Sequence, residues 1–178
     1  MSSGTRIAVM FIAILLLAAA GLWGGAPAQA AVFLSTKVDR ANMRLGPGLD
    51  YPVRAQFRIR HWPLELLDRY GDWRRVRDWH GEEGWMHKRL LSPARYVLIR
   101  PQHALDAQSA TELQRKQRTI RLYRAPHMRS RVVAFVQTGV SARLEDCDII
   151  WCKIRLPAHA GWVVRVALWG LDEREFRE

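Results

Sequence analysis

One phrase occurs twice in this chain, and it limits the possible folds more than any other feature. Trp73-Arg-Arg-Val76 is followed, after a polar turn, by Gly84-Trp85, and Trp151-Cys-Lys-Ile154 is followed, after another turn, by Gly161-Trp162. An aromatic residue, an apolar residue three places on and a Gly-Trp pair at nearly the same interval mark an internal repeat. The correspondence runs upstream as well. Arg121-Leu-Tyr-Arg-Ala-Pro126 falls on Asn42-Met-Arg-Leu-Gly-Pro47 at an offset of 79, and Val132-Val-Ala134 falls on Val53-Arg-Ala55 at the same offset. The two Gly-Trp pairs lie 77 apart, a slip of two residues that a turn absorbs.

Within each copy the apolar segments are short and are punctuated by Gly, Pro and Asp. In the first copy Gly46-Pro47-Gly48 is a turn, because Pro fixes φ and Gly admits positive φ. Tyr51 to Phe57, Trp62 to Leu67, Trp73 to Arg77 and Gly84 to His87 then read as strands, with Leu64 and Leu66 on one face of the second. Strands this short between tight turns predict a small all-β barrel. In the second copy Val140, Ala142 and Leu144 alternate as a half-buried strand. The predicted fold class is therefore all-β, two small barrels in tandem, over residues 36–92 and 119–170. Between them, 93–118 is a connector. Its start, Pro93 to Arg100, has the pattern of a strand that could pack on either copy, and 102–117 is a polar stretch with a short helical flavour. A charged tail, 171–178, closes the chain, and Trp169 is expected to fold back onto the second barrel.

A chain of 178 residues with 49% hydrophobic content has room for two such units, and its eight Trp supply the large side chains that small cores need. The first thirty residues have the form of a secretory signal. Arg6 gives the positive start, Ile7 to Leu22 is an uninterrupted apolar run, and Ala28-Gln-Ala30 is a small-x-small cleavage site. Cleavage there leaves Ala31 as the mature N-terminus; retention would leave a membrane anchor instead. Both place the remainder across a membrane, in a bacterium the periplasm, away from intracellular nucleic acid. From residue 31 onward, 27 Lys and Arg stand against 17 Asp and Glu, a net charge of +10. That excess suits an anionic partner or surface, or serves solubility alone.

Candidate binding residues follow from strand parity. Trp73 and Val76 are an odd number apart, so they face opposite sides of a regular strand. Val76 is then core, and Trp73, Arg75 and Arg77 share the outer face. In the second copy Trp151, Lys153 and Arg155 form the matching trio, with Cys152, Ile154 and Leu156 inward. An aromatic beside two cations is a seat for an anionic or sugar-like ligand, or else a capped rim with solvated charges. Gly84 and Gly161 are expected where the backbone approaches a neighbour closely, with Trp85 and Trp162 held against the core as structural residues.

The two cysteines, Cys147 and Cys152, flank a predicted hairpin turn, and an even pair in an exported chain predicts a disulfide. A catalytic nucleophile would need a positioned base, and His159, the nearest histidine in sequence, brings no third orienting group. The six histidines, at 61, 80, 87, 103, 127 and 159, lack ligand spacing, so neither a metal nor a cofactor is expected.

Taken as a set, several motifs resemble a bacterial SH3-like domain. They are Asn42-x-Arg44-x-Gly46-Pro47-Gly48, Tyr51-Pro-Val53, Trp73 to Asp78, Gly81-x-x-Gly84-Trp85 and Leu90 to Ser92. Cys147-x-x-x-Trp151-Cys152, Gly161-Trp162 and Leu168-Trp-Gly170 resemble the partner repeat, as in exported proteobacterial proteins with tandem SH3-like domains and no enzyme domain. Two departures stand out: the long segment 101–117, and Asp148-Ile-Ile where a Gly-containing turn is usual. The resemblance implies a non-catalytic binding or scaffolding module of the cell envelope. The expected partner is peptidoglycan or its peptides, or another anionic envelope component. The alternative is a periplasmic protein-protein interaction scaffold. An enzyme would need a nucleophile with a positioned base, and the sequence offers none in a recognisable context.

Overall fold

A computed structural model describes residues 32–100 and 119–172. The predicted signal, most of the connector and the end of the tail lie outside these residues. Fourteen strands are present, with two short 3-10 turns and no α-helix among the described residues. The first seven are β1 (Val32–Thr36), β2 (Ala41–Arg44), β3 (Val53–Phe57), β4 (Pro63–Tyr70), β5 (Trp73–Arg77), β6 (Glu83–His87) and β7 (Leu91–Ser92). The second seven are β8 (Tyr96–Ile99), β9 (Thr119–Tyr123), β10 (Val132–Gln137), β11 (Ser141–Cys147), β12 (Trp151–Arg155), β13 (Ala160–Val164) and β14 (Leu168–Trp169).

Each set of seven forms one antiparallel sheet, in the orders β3-β2-β6-β5-β4-β1-β7 and β10-β9-β13-β12-β11-β8-β14. Adding seven to each strand number of the first gives the second, so the repeat read in the sequence is a repeat of topology. The hydrogen-bonded order leaves β3 and β7, or β10 and β14, as edges; neither sheet closes into a ring. Curvature comes from bulges, where an extra residue shifts the register by one and bends the strand. One lies between Leu66 and Asp68 on β4, and its counterpart lies between Leu144 and Asp146 on β11.

Each sheet wraps its own core. Met43, Leu64, Val76 and Met86 are fully buried in the first repeat, with Ala41 and Leu91 beside them. Leu122, Ile154, Cys152, Val97 and Ile99 occupy the second, with Val163 and Leu168. Val76 and Ile154 are the inward residues that parity predicts, and both are 0% exposed.

One strand in each repeat lies outside the sequence-based boundaries. β1 precedes residue 36 and pairs with both β4 and β7. β8, assigned by sequence to the connector, pairs with β11 and β14 inside the second sheet. Only 93–95 joins β7 to β8. The long segment therefore separates the first two strands of the second repeat: 100–118 stands where the first repeat has 37–40. Both strands are only four or five residues long; β8 is apolar throughout, and β1 ends in the polar pair Ser35-Thr36, both buried, so neither carries a period long enough to detect.

The repeats meet through these same strands. The rings of Phe33 and Trp169 stand edge to face at 5.4 Å, and the Arg95 guanidinium lies over Phe33 at 5.4 Å. Arg95 also donates to the Gly170 carbonyl at 2.7 Å, and the Ser35 hydroxyl donates to the Ala94 carbonyl at 2.9 Å. Trp169 thus packs on the first repeat as well as closing the second sheet. His61, with φ at +65°, stacks flat on Tyr96 at 4.2 Å. Burial holds its pKa below the usual histidine value, reinforced by the Arg60 charge. The chain stays packed beyond β14: Leu171 lies against the second core and Asp172 is 8% exposed, so the charged tail begins later than 171.

Candidate functional site

Register decides which side chains share a face, because directly opposed residues in an antiparallel pair point the same way. In the first repeat Trp73 opposes His87, Arg75 opposes Trp85, and Arg77 opposes Glu83. Trp85 also opposes Arg44 on its other side. The outer face of β2, β6 and β5 therefore carries the row Arg44–Trp85–Arg75, with Trp73 and His87 on one flank and Arg77 and Glu83 on the other. Trp73 is half-buried and meets His87 edge to face at 5.4 Å.

The charges on this face are mutually compensated. Arg75 binds Glu83 at 2.7 Å, and Arg77 binds Glu65 at 2.9 Å with Glu83 at 3.8 Å. Arg44 sends one nitrogen to the carbonyls of Leu49 and Tyr51, at 3.0 and 2.7 Å, and so braces the β2–β3 loop. A guanidinium has five donors; Arg75 spends one of its nitrogens on Glu83, and the rest of its fork is available. Beside this face, the Lys88 ammonium bonds Asp72 at 2.8 Å and holds that carboxyl below its usual range.

The second repeat builds the corresponding row as Tyr123–Trp162–Lys153. Tyr123 occupies the place of Arg44, and its ring meets Trp151 edge to face at 5.5 Å. Trp151 is consequently buried, at 7% exposure, so its indole does not join Lys153 and Arg155 as an open ligand surface. Those two cations converge on Glu145: Lys153 lies 3.6 Å away and Arg155 forms a short ion pair with it. The hydrogen bond from Arg155 holds the Glu145 carboxyl below its usual range.

The Gly-Trp pairs differ from expectation in one half. A Cβ on Gly84 would stand 2.6 Å from Met43 Cγ and 2.7 Å from the Arg44 carbonyl oxygen, and one on Gly161 would stand 2.6 Å from the Tyr123 carbonyl oxygen. The glycines are required by close approach. Their tryptophans are not core. Gly84 and Met86 face inward, so Trp85 between them faces out; Gly161 and Val163 do the same to Trp162. Both indoles are half-buried on the outer surface.

Cys147 and Cys152 oppose each other across the β11–β12 hairpin and are bonded, in the core of the second repeat. The turn between them needs no glycine, because the Asp148 carboxylate accepts from the N–H groups of Ile150 and Trp151. Among the described residues no cluster of His, Cys, Asp and Glu could hold a metal ion.

A cleft without a sequence signature opens on the second repeat. β13 and β9 pair only at Trp162 and Tyr123 and then diverge. The opening is a cleft lined by Thr119, Arg121, Tyr123, Met128, Val164 and Ala167. Those residues come from two strands, a loop and a 3-10 turn, with no common spacing.

Residues 37–93 and 116–170 both match the family model described as bacterial SH3 domain. The chain belongs to the bacterial SH3 domain family. Its two SH3 repeats are similar to part of a curated protein, "Putative N-acetylmuramoyl-L-alanine amidase YrvJ" of Bacillus subtilis, at 27% identity over 126 residues. The match takes in 70% of this chain and 23% of that protein, so the chain spans about a quarter of the relative's length. Among solved structures, NlpC1 from Trichomonas vaginalis overlaps 81% of this chain and 47% of its own, with TM-score 0.33 and 12% identity. An NlpC/P60 family protein from Bacillus cereus overlaps 77% and 55%, with TM-score 0.32 and 15% identity. Overlaps at that level do not bear on how these SH3 repeats work.

Proposed function

We propose that this chain is a non-catalytic binding module of the bacterial cell envelope, exported to the periplasm, that holds peptidoglycan or its peptides. The observation that carries the reading is the row Arg44–Trp85–Arg75 on the outer face of the first repeat. An indole between two guanidinium groups offers a flat apolar surface for a sugar ring or peptide and forked donors for its carboxylates. In the second repeat Trp162 and Lys153 share the corresponding face, while Tyr123, 7% exposed, is closed against Trp151 and offers no open surface. Membership of the bacterial SH3 family and similarity to part of a protein named as an N-acetylmuramoyl-L-alanine amidase support the same partner class. The reading is of binding without turnover, because an indole and guanidinium groups hold a ligand without acting on it chemically.

The test is co-sedimentation of the chain from Ala31 onward with purified sacculi. Trp85→Ala and Trp162→Ala together should abolish retention while circular dichroism and thermal unfolding show a folded protein. Retention by this double variant equal to that of the unaltered chain sinks the proposal.

A second reading has its own observation. Leu45, Leu49, Tyr51 and Val53 crowd the β2–β3 loop of the first repeat and are 54, 66, 47 and 47% exposed. An apolar patch of this kind suits a protein partner, which makes the chain an envelope scaffold. Failure to bind sacculi, with crosslinking to an envelope protein through a photoreactive residue at Leu49, favours that reading.

A further inference from the structure

We propose that the β9–β10 hairpin of the second repeat is a docking surface for a bilayer carrying anionic phospholipid headgroups. Residues 119–144 hold five arginines, at 121, 124, 129, 131 and 143, and no Asp or Glu. Arg121, Arg124, Arg129 and Arg131 are all exposed, and among the described residues none has a side-chain hydrogen bond or an ion pair. In the first repeat Arg54, Arg75 and Arg77 pair with Glu82, Glu83 and Glu65, and its other exposed arginines, at 40, 58, 60, 69 and 89, are spread over several strands and loops. Four unpaired cations are thus gathered on one hairpin, with Arg143 on the next strand.

Large apolar side chains stand among these cations. Phe135 is 68% exposed and opposes Arg121 in register, so the two share a face of the hairpin. Met128, 63% exposed, lines the same cleft as Arg121. β10 is an edge strand, so no neighbouring strand covers Phe135. A dissolved polyanion would neutralise the guanidinium groups and leave Phe135 and Met128 in water. A bilayer surface satisfies both at once, with phosphates at the level of the arginines and acyl chains beneath for the ring and the thioether. The surface is separate from the Trp85 row and does not depend on the sacculus reading.

The experiment uses the chain from Ala31, which contains every strand of both sheets. It should co-sediment with vesicles of phosphatidylethanolamine and phosphatidylglycerol and not with phosphatidylcholine vesicles. The triple change Arg121→Gln, Arg129→Gln, Arg131→Gln should weaken binding by about a hundredfold, near fivefold per arginine at an anionic surface. Phe135→Ser alone should weaken it by about tenfold at high salt, where the ring carries the attachment. Both variants keep the Trp85 row, so any sacculus binding through it is retained. No vesicle binding by the unaltered chain, or full binding by the triple variant, overturns the proposal. So does Phe135→Ser that binds anionic vesicles as well as the unaltered chain; equal retention on immobilised polyphosphate would then identify a polyanion as the partner.

Discussion

Two glycines of the first repeat separate a geometric clash that matters from one that does not. A Cβ added at Gly46 runs into the Tyr51 ring, and by distance alone this is the worst contact of any glycine among the described residues. Tyr51 is 47% exposed, so its ring can swing toward solvent. A Cβ added at Gly84 meets Met43, which is fully buried, and the carbonyl oxygen of Arg44, which is backbone. Neither can withdraw without moving β2 relative to β6. Overpacking of this kind costs ~3 kcal/mol at the upper end of its range. Replacing glycine in a strand returns ~1 kcal/mol, leaving Gly84→Ala destabilised by ~2 kcal/mol. For a unit this small, each kcal/mol lowers Tm by about 4–8 °C, so the expected fall is about 8–16 °C. Gly46 is itself buried, but the ring that obstructs it lies at the surface and can move, so Gly46→Ala should lower Tm by clearly less than Gly84→Ala. Differential scanning calorimetry of the two variants reads both shifts. If Gly46→Ala melts lower than Gly84→Ala, then the nature of the obstructing atom does not set the cost, and the argument fails.

The tryptophans give a second comparison: Trp151→Ala, at a buried site, should cost ~3–5 kcal/mol, whereas Trp85→Ala should cost clearly less, and equal losses in urea unfolding would contradict the face assignment. Replacing Cys147 and Cys152 together by Ala should lower stability by ~2 kcal/mol, since the closed loop is short; mass spectrometry without reductant should find no free thiol in the unaltered chain. The pH response of the joint between the repeats has a defined sign. Burial lowers the folded pKa of His61, so the unfolded chain takes up a proton first, and stability falls as pH drops from about 6.5 toward that lowered value. His61→Asn should flatten the slope in this window. Asp72 and Glu145, also lowered, act in a more acidic one, losing their contribution as pH falls below the ordinary carboxylate range.

Much of the fold was legible because a half-buried strand writes its environment with period two. Val76 and Ile154 inward, the Cys147–Cys152 bridge and the order of the hairpins all follow from spacing. The parity that sets Trp73 and Val76 on opposite faces also sets Gly84 and Trp85 on opposite faces. The same rule, with Gly84 inward by its close approach, puts Trp85 outside. The burial of Trp151 had no local signal: it depends on Tyr123, which is 28 residues away in sequence and neighbours it only because β9 lies beside β13. The ion pairs that compensate Arg75 and Arg77 come from Glu83 and Glu65 on two different strands, and nothing in the composition assigns them.

By itself the sequence determined that this is an all-β chain made of one unit used twice, with two near-identical glycine contacts and a pinned hairpin. These are consequences of local chemistry: alternation, turn residues and the absence of a side chain. Only the tertiary structure decided where the second repeat begins, since β8 is recognised by its partners β11 and β14 and not by its own residues. It also decided which cations remain uncompensated. Charge neutralisation depends on distances of a few ångströms between side chains from different strands, and the Coulomb interaction falls off too steeply in water for sequence proximity to stand in for them.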